Sequence, residues 1–333
     1  MGLPAGYELR AATPDDLAPV ATVLAADDLD DAGQVVLDEG FLREEWNRLG
    51  FDLATDAWVV VDDAGTLVGY GQVMWEEPDV VASWGVVHPG YRGRGLGSSL
   101  FSRIEERAPQ LLPGSPTLRF RHAINAGDRA AAALLETRGL RPVRHFWHMQ
   151  IELAGAVDPG PPPEGIDIAP VRSPGDLAAV HAVEDEAFTD HWEHHPEPFD
   201  RWAAERTLGP SYDPALWLLA RQGGAPVGAL TASVLGDRGW VGLLGVLAPS
   251  RGRGIGEALL RRSFAAFASR GVRCLLLAVD AESPTGATAL YERVGMRVVK
   301  RWDLWERSLG DSAAPDSTSG PPPDPPRGGR REG

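Results

Sequence analysis

A glycine- and arginine-rich run in the second half of the chain has the composition of an anion-binding loop. The run RGRGIG at residues 251–256 follows an apolar stretch that ends at Val246, and an amphipathic helical pattern begins directly after it. Glycines allow a tight turn and a close approach of ligand to backbone, and the unpaired N–H groups of a helix N-terminus favour negative charge. Arg251 and Arg253 would add charge-assisted hydrogen bonds to phosphate oxygens. The run therefore predicts a phosphate-binding loop.

Two phosphate-binding motifs of other folds do not fit this run. A dinucleotide-binding G-x-G-x-x-G fingerprint would need glycine at Glu257, and at Ser98 in the similar run of the first half, and neither position has it. No Gly-Lys-Ser/Thr follows, so the run is not a P-loop. A plain surface turn would explain one such run. It is disfavoured because two copies occur, each between an apolar strand pattern and an amphipathic helix pattern.

The two copies belong to a longer repeat with a spacing of 159 residues. Arg92 of YRGRGLG corresponds to Arg251 of SRGRGIG, and Trp58, which precedes an apolar strand pattern, corresponds to Trp217. A period of this length is that of a whole domain, so the sequence predicts a duplicated domain.

Composition gives the boundaries of the two domains. The stretch at residues 154–165 is rich in proline and glycine and suits a linker, and residues 310–333 contain almost no apolar residue, which is typical of a disordered tail. We therefore predict an N-terminal domain over residues 1–153 and a C-terminal domain over residues 166–309.

Each half has the same order of predicted elements around its glycine-rich run. An opening strand and helical sequence precede two strands joined at a glycine, and a third strand leads into the loop. A helix, predicted at about residues 256–269 in the second half, is followed by the apolar strand CLLLAVD, a further helix and a last strand. Mixed strands and helices in this order predict an α/β fold.

Composition and charge exclude several functions. The 333 residues carry a net charge of −15, which opposes binding to nucleic-acid phosphates. No apolar run approaches a membrane span and no secretory signal is present, so we expect a cytoplasmic protein with no membrane or nucleic-acid partner. The single cysteine, Cys274, lies in an apolar run and is expected to be an inert buried thiol.

The pattern Arg-x-x-Gly-x-Gly between strand and helix resembles the pyrophosphate loop of the GNAT N-acyltransferases. The run ALYERVGM at residues 289–296 resembles a later element of that family, and the likeness covers nearly the whole chain as two copies. The tandem layout resembles that of mycothiol synthase and related actinobacterial acetyltransferases. The resemblance implies two tandem GNAT domains, each a mixed, mostly antiparallel sheet flanked by helices. It also implies an N-acetyltransferase that uses acetyl-CoA as co-substrate, without a metal, and in which the primary amine of a small molecule attacks the thioester directly.

The resemblance further assigns roles to residues. Tyr291 matches the family tyrosine that protonates the departing thiolate, whereas the first half has Leu135 there, and leucine cannot donate a proton. Catalysis is therefore expected in the C-terminal domain, and the N-terminal domain is expected to be a non-catalytic scaffold. A backbone N–H near Val246 would stabilise the oxyanion. The residues expected to contact acetyl-CoA lie at the strand end and loop of each half and at one position before Tyr291: Leu244, Gly245, Val246, Arg251, Gly252, Arg253, Gly254, Ile255, Gly256, Glu257 and Ser283, with Val87, Arg92, Gly93, Arg94, Gly95, Leu96 and Gly97.

Two positions depart from the family pattern. The asparagine that often holds the pantetheine arm is missing, and Ser283 or Thr285 is the substitute available. The glutamate that often serves as general base is absent from residues 240–246, which leaves the base open. The candidates are Asp280 and Glu282, which follow the strand CLLLAVD, and Asp190, His191 and Glu193, which lie near the predicted acceptor wall.

The missing glutamate also supports an alternative function, a non-catalytic acyl-CoA-binding regulatory protein. Retention of Tyr291 favours the enzyme. Three aromatic residues near the predicted acceptor wall would either line an acceptor pocket or serve as ordinary packing residues: Phe188, Trp192 and Trp202. The sequence is compatible with both interpretations. The acceptor, the acyl length and the choice between monomer and homodimer are not fixed by the sequence.

No metal site is predicted. His191, His194 and His195 form a cluster without a known ligand spacing, and His145 and His148 lie three apart on a predicted strand, which places them on opposite faces.

Overall fold

The structure is a computed structural model, and it describes residues 2–192, 194–283 and 285–310. The predicted tail therefore lies, apart from Gly310, outside the described residues. The predicted linker, residues 154–165, contains no helix or strand.

The described residues of each half form the helices and strands that the sequence patterns predict. The first half has eleven elements in the order β1 (Tyr7–Ala11), α1 (Leu17–Ala32), α2 (Glu39–Trp46), α3 (Leu53–Asp56), β2 (Ala57–Asp62), β3 (Leu67–Glu77), β4 (Val80–Val87), α4 (Leu96–Leu111), β5 (Arg119–Asn125), α5 (Arg129–Thr137) and β6 (Arg141–Glu152). The second half has ten in the order β7 (Ile166–Pro170), α6 (Pro174–Phe188), α7 (Phe199–Thr207), β8 (Leu218–Gln222), β9 (Ala225–Leu235), β10 (Arg238–Val246), α8 (Ile255–Ser269), β11 (Cys274–Asp280), α9 (Ala287–Arg293) and β12 (Arg297–Ser308).

Local chemistry fixes where several helices begin. Ser173 and Asp176 form a reciprocal capping box at the start of α6, with Pro174 at the first helical position. The carboxylate of Asp128 accepts hydrogen bonds from the N–H groups of Ala130 and Ala131 and so caps α5.

The strands form one twelve-stranded sheet in the described residues, in the order β1-β2-β3-β4-β5-β12-β6-β11-β10-β9-β8-β7. Two neighbouring pairs, β4 with β5 and β10 with β11, are parallel, and the other pairs are antiparallel. The predicted α/β fold with mixed, mostly antiparallel sheets and flanking helices is confirmed.

The last strand of each half is exchanged between the halves. β12 lies between β5 and β6, and β6 lies between β12 and β11. The predicted domains at residues 1–153 and 166–309 therefore share one sheet instead of forming two. The sequence repeat gives no sign of this, because the exchange preserves the element order of each half.

The exchanged strands also supply core residues to the opposite half. Trp305 of β12 is buried in the cluster that α4 forms with the first-half strands, and Met149 of β6 is buried beneath α8. The predicted apolar face of α8 is buried as well, with Leu259, Phe264 and Phe267 in the same cluster as Met149.

A buried ion pair joins β12 to the first helix of the other half. Lys300 Nζ lies 2.5 Å from Asp28 Oδ1 and 3.7 Å from an oxygen of Asp27. The other oxygen of Asp28 accepts the N–H groups of Val36 and Leu37 at 2.8 Å. Lys300 is 8% exposed and Asp28 is 1% exposed, so neither charge has water as a substitute partner.

We predict that Lys300→Met lowers the free energy of unfolding by about 3 kcal/mol, because it leaves the buried Asp28 carboxylate without its cation. Urea denaturation measures the change. Arg43→Met is the matched control, since Arg43 pairs with Glu39 at the surface of α2 and such pairs contribute less than about 1 kcal/mol. Equal losses of stability in the two variants would show that the buried Lys300–Asp28 pair stabilises the protein no more than a surface ion pair does.

Two buried histidines make stability depend on pH. Burial lowers the pKa of both His122 and His148 to about 3, and the charge of Lys300 adds to the shift of His148. Because the unfolded chain binds protons on these rings near pH 6.5 and the folded chain does not, stability falls as pH drops below that value.

We predict that each ring removes about 2 kcal/mol of stability between pH 7 and pH 5. His148→Leu should therefore show a fall between urea unfolding at pH 7 and at pH 5 that is about 2 kcal/mol smaller than in the unaltered protein. An unchanged fall would show that His148 titrates alike in both states.

Candidate functional site

The loop between β10 and α8 has the backbone geometry of an anion site. Gly252 and Gly254 have φ angles of +74° and +78°, and Gly93 and Gly95 of the first half have +75° and +82°. A Cβ atom added at Gly252 would meet no atom within 4 Å, so the loop surface is open to a ligand. The amides that follow belong to the first turn of α8, where N–H groups have no acceptor within the helix. The loop can thus offer several N–H groups to one phosphate group.

The arginines of the loops face the protein. Arg251 donates to the carbonyl groups of Val246 and Ala187, both at 3.0 Å, and Arg92 donates to the carbonyl of Val87 at 3.3 Å. Arg253 bonds Gln222 and Arg94 bonds Tyr7. In this arrangement Arg251 ties the loop to the strand end, and the bonding of Arg251 and Arg253 to phosphate oxygens stays a prediction.

A cleft opens beside each loop because the two parallel strands separate. β10 pairs with β11 only from Gly239 to Val241, and β4 pairs with β5 only as far as Trp84. The ends of β10 and β4 beyond these pairs therefore have one side that is not bonded to the parallel neighbour. An extended ligand with amide groups can bind such a strand edge.

The C-terminal cleft is a cavity of about 320 Å³. It brings together most of the residues predicted to bind acetyl-CoA in this half, along with Tyr291. Its lining includes Leu244, Gly245, Val246, Arg251, Gly252, Gly254, Ile255, Gly256, Glu257 and Tyr291. Arg253 and Ser283 are not among the lining residues. Ser283 bonds Thr285 at 2.9 Å, and Thr285 is the one of the two that lines the cavity.

Tyr291 lies on α9 and is 7% exposed. Burial raises the pKa of its phenol to about 12, so the group is protonated at neutral pH. A protonated phenol that lines the cleft can donate a proton or a hydrogen bond to a ligand atom. In the first half, Leu135 lines the corresponding cavity, and it has no proton to donate.

The candidate bases differ in their availability. Arg144 bonds Asp280 at 2.7 and 2.9 Å and Glu282 at 3.1 Å, and Asp190 is exposed away from the lining. Glu193 lies outside the described residues. His191 lines the C-terminal cavity. Burial is the main cause that lowers the pKa of His191, against the opposing charge of Asp280, and so favours the neutral imidazole that can accept a proton.

The three predicted acceptor-wall aromatics have different surroundings. Phe188 lines the cavity, whereas Trp202 is 1% exposed in the core under α6. The Trp192 ring lies 4.5 Å from the guanidinium of Arg121 and 5.5 Å from that of Arg144, and these contacts hold its loop against the first half.

The N-terminal cleft is the larger of the two, with a volume of about 500 Å³. Of the residues predicted to bind acetyl-CoA in this half, Val87, Arg92, Gly93, Gly95, Leu96 and Gly97 line the cleft and Arg94 does not. The sequence patterns did not predict that Gly85 and Asn125 line this cleft. They also gave no sign of His148 and Lys300, which reach it from the exchanged strands. The repeat could have pointed to Gly85, which corresponds to Leu244, but nothing in the sequence places β6 and β12 beside this cleft.

Other kinds of site are not found in the part of the chain that the structure describes. No group of three or more His, Cys, Asp or Glu side chains there could hold a metal ion. His145 is exposed and His148 is buried, on opposite faces of β6 as predicted. No described helix is both long enough and apolar enough to cross a membrane.

Comparisons with known proteins identify the family of the chain. Residues 24–140 and 177–296 match the model of the acetyltransferase (GNAT) family. The mycothiol acetyltransferase of Thermobispora bispora is 32% identical over 259 residues, which cover 74% of this chain and 81% of the relative. That of Streptomyces coelicolor is 33% identical over 253 residues, which cover 74% and 77%.

Solved structures give the same result. A GCN5-related N-acetyltransferase from Sphaerobacter thermophilus matches with a TM-score of 0.80 and 35% identity, over 92% of this chain and 97% of that one. The tandem GNAT protein from the clavulanic acid biosynthesis pathway matches with a TM-score of 0.67 over 92% and 99% of the chains, and at 18% identity this likeness is one of fold. The chain therefore belongs to the GNAT family, as an acyl-CoA-dependent N-acetyltransferase with two tandem domains.

Proposed function

We propose that the protein transfers the acetyl group of acetyl-CoA to the primary amine of a small molecule, and that the transfer takes place in the C-terminal half. The observation that carries this proposal is that the open glycine-rich loop, the edge of β10, the phenol of Tyr291 and the imidazole of His191 line one cleft. Because the relatives are named mycothiol acetyltransferases, the amine of a mycothiol precursor is the first acceptor to test.

The residues present fit acetyl-CoA. The open loop at 251–256 and the first turn of α8 suit the pyrophosphate, and the edge of β10 at Leu244, Gly245 and Val246 suits the two amides of the pantetheine arm. When bound, acetyl-CoA supplies an activated acyl thioester. The first half offers a similar loop and strand edge, so it can hold a second CoA molecule.

Two side chains that line the C-terminal cleft would each carry out one proton transfer. His191 would take the proton that the attacking ammonium must lose, and a backbone N–H of β10 near Val246 would stabilise the negative charge on the carbonyl oxygen. Tyr291 would give its proton to the departing sulfur. The amine attacks directly in this scheme, so no acyl group is carried by the protein.

Acetyl-CoA binding tests whether the loops hold the pyrophosphate. Each half has one glycine after its loop whose replacement should block the binding site without straining the backbone. Gly97 and Gly256 lie in the first turns of α4 and α8 outside the left-handed region, whereas Gly95 and Gly254 have left-handed φ angles that a larger residue would strain. A Cβ atom at Gly97 would lie 3.8 Å from its nearest neighbour, and one at Gly256 would lie 3.1 Å from a flexible methyl group of Leu290.

We predict that Gly256→Glu weakens acetyl-CoA binding to the C-terminal half at least about a hundredfold, because the new carboxylate faces the pyrophosphate. Gly97→Glu should do the same for the first half. Calorimetric titration measures affinity and stoichiometry. Ser269→Glu adds the same charge at the exposed end of α8 and should bind as the unaltered protein does. Binding that is unaffected by both glycine changes would remove the loops from the cofactor site.

Turnover tests the assignment of Tyr291. Tyr291→Phe should lower kcat about a hundredfold, since general acid catalysis contributes roughly that much or more, while the Kd for acetyl-CoA changes less than about threefold. Amine-dependent release of CoA measures the rate. Tyr212→Phe, a change at a tyrosine that packs on Trp217, is the control. If the unaltered protein binds acetyl-CoA but acetylates no amine of a panel of mycothiol precursor, amino sugars and polyamines, the non-catalytic binding function is correct.

A further inference from the structure

The two clefts differ at a pair of residues that face each other across neighbouring strands. In the first half Gly71 of β3 faces Gly85 of β4, and in the second half Leu230 of β9 faces Leu244 of β10 at the corresponding positions. Gly85 and Leu244 each line the floor of the cavity of their half, whereas Leu230 is buried in the core. The first half thus lacks one isobutyl group at the floor of its cleft and a second one at the facing position of the next strand.

The helix above this floor compensates only in part. Ile104 of α4 corresponds to Ser263 of α8, and Ile104 Cδ1 lies 2.9 Å from where a Cβ atom of Gly71 would be. The side chain of Ile104 therefore takes the place of three side chains of the second half, which are those of Leu230, Leu244 and Ser263. The remaining space is part of the 500 Å³ cavity, compared with 320 Å³ in the second half.

The added space is apolar. Leu100, Phe101 and Ile104 line it from α4, whereas their counterparts Leu259, Leu260 and Ser263 are buried away from the C-terminal cavity. Leu135 lines it in place of a phenol. A large apolar cavity that is reached from outside suits an apolar ligand better than water, because water there would lack hydrogen-bond partners.

Most polar side chains in the lining are already bonded to other residues. His122 bonds Ser83 at 2.7 Å, Asn125 bonds Asp27 at 2.9 Å, and Lys300 bonds Asp28. Two exceptions are His148 and Trp302, whose Nδ1 and Nε1 atoms are buried without a partner among the described residues. Neutral rings of this kind are compatible with an apolar neighbour, so these two side chains do not select a charged group.

We propose that the N-terminal cleft binds an acyl-CoA whose acyl group is an apolar chain longer than acetyl, with that chain lying over Gly85 and against Leu100, Phe101 and Ile104. The inference rests on the proposed binding of CoA by the loop at residues 92–97. It gives the first half a ligand of its own, where the second half has room for acetyl.

Titration of the full chain with a series of acyl-CoA thioesters tests the proposal. Gly256→Glu leaves the N-terminal cleft as the binding site and Gly97→Glu leaves the C-terminal one, and each is titrated by calorimetry with acetyl-, butyryl-, hexanoyl- and octanoyl-CoA. In the Gly256→Glu protein we expect Kd to fall about fourfold for each methylene that is buried. In the Gly97→Glu protein we expect no gain beyond acetyl-CoA.

Exchange of the floor residues between the halves locates the chain. Gly85→Leu with Ile104→Ser gives these two positions the residues of the second half and should abolish the dependence on chain length in the Gly256→Glu background. Leu244→Ala in the Gly97→Glu background shortens the side chain at the corresponding floor position and should create such a dependence, and it keeps the test decisive if the first variant does not fold.

Some results would overturn the proposal. Affinity in the Gly256→Glu protein that stays level or falls with chain length would exclude the apolar pocket, and a dependence on length that survives Gly85→Leu with Ile104→Ser would place the chain elsewhere. Absence of any acyl-CoA binding by the Gly256→Glu protein would overturn it as well. In each case amine-dependent release of CoA from acetyl-CoA by the Gly97→Glu protein shows separately whether the proposed C-terminal function stands.

Discussion

Backbone hydrogen bonding between β6 and β12 is the interaction on which both clefts depend. Each of these strands follows the helix that ends its own half, and each pairs with the parallel strand of the other half, β12 with β5 and β6 with β11. Without them, β5 and β11 would have exposed edges in the middle of the molecule. The exchange closes these edges and fixes the two clefts to one rigid sheet, with Lys300 and Asp28 as a buried ion pair across the junction.

Each cleft forms where two parallel strands separate, and this separation exposes the polar backbone groups of one strand edge. β4 and β10 leave their parallel neighbours before they end, and the glycine-rich loops then reverse the chain into α4 and α8. One side of the cleft has an unbonded strand edge and the other has the first turn of a helix, so both sides offer backbone groups that have no partner within the fold's regular hydrogen bonding. The arginines of the loops hold this geometry by bonding the strand ends.

Duplication has left two clefts with the same backbone and different side chains. Tyr291 and His191 give the second cleft side chains that can donate or accept a proton, and Leu244 lines its floor. Leu135 and Gly85 line the first cleft, which has the larger volume. A few substitutions on a common frame thus give the two clefts different volumes and different polar groups.

The repeat, the order of elements, the glycine-rich loops and the contrast between Tyr291 and Leu135 can all be predicted from the sequence. These features are local, because periodicity, glycine placement and residue type do not depend on distant parts of the chain. Other features appear only in the folded protein. They are the exchange of β6 and β12, the bonds by which Arg251 braces the loop, and the position of His191 in the cleft while Arg144 holds Asp280. Each of these depends on which residues from separate segments meet, and the pairing of strands far apart in sequence is set by packing of the whole sheet, which no local pattern encodes.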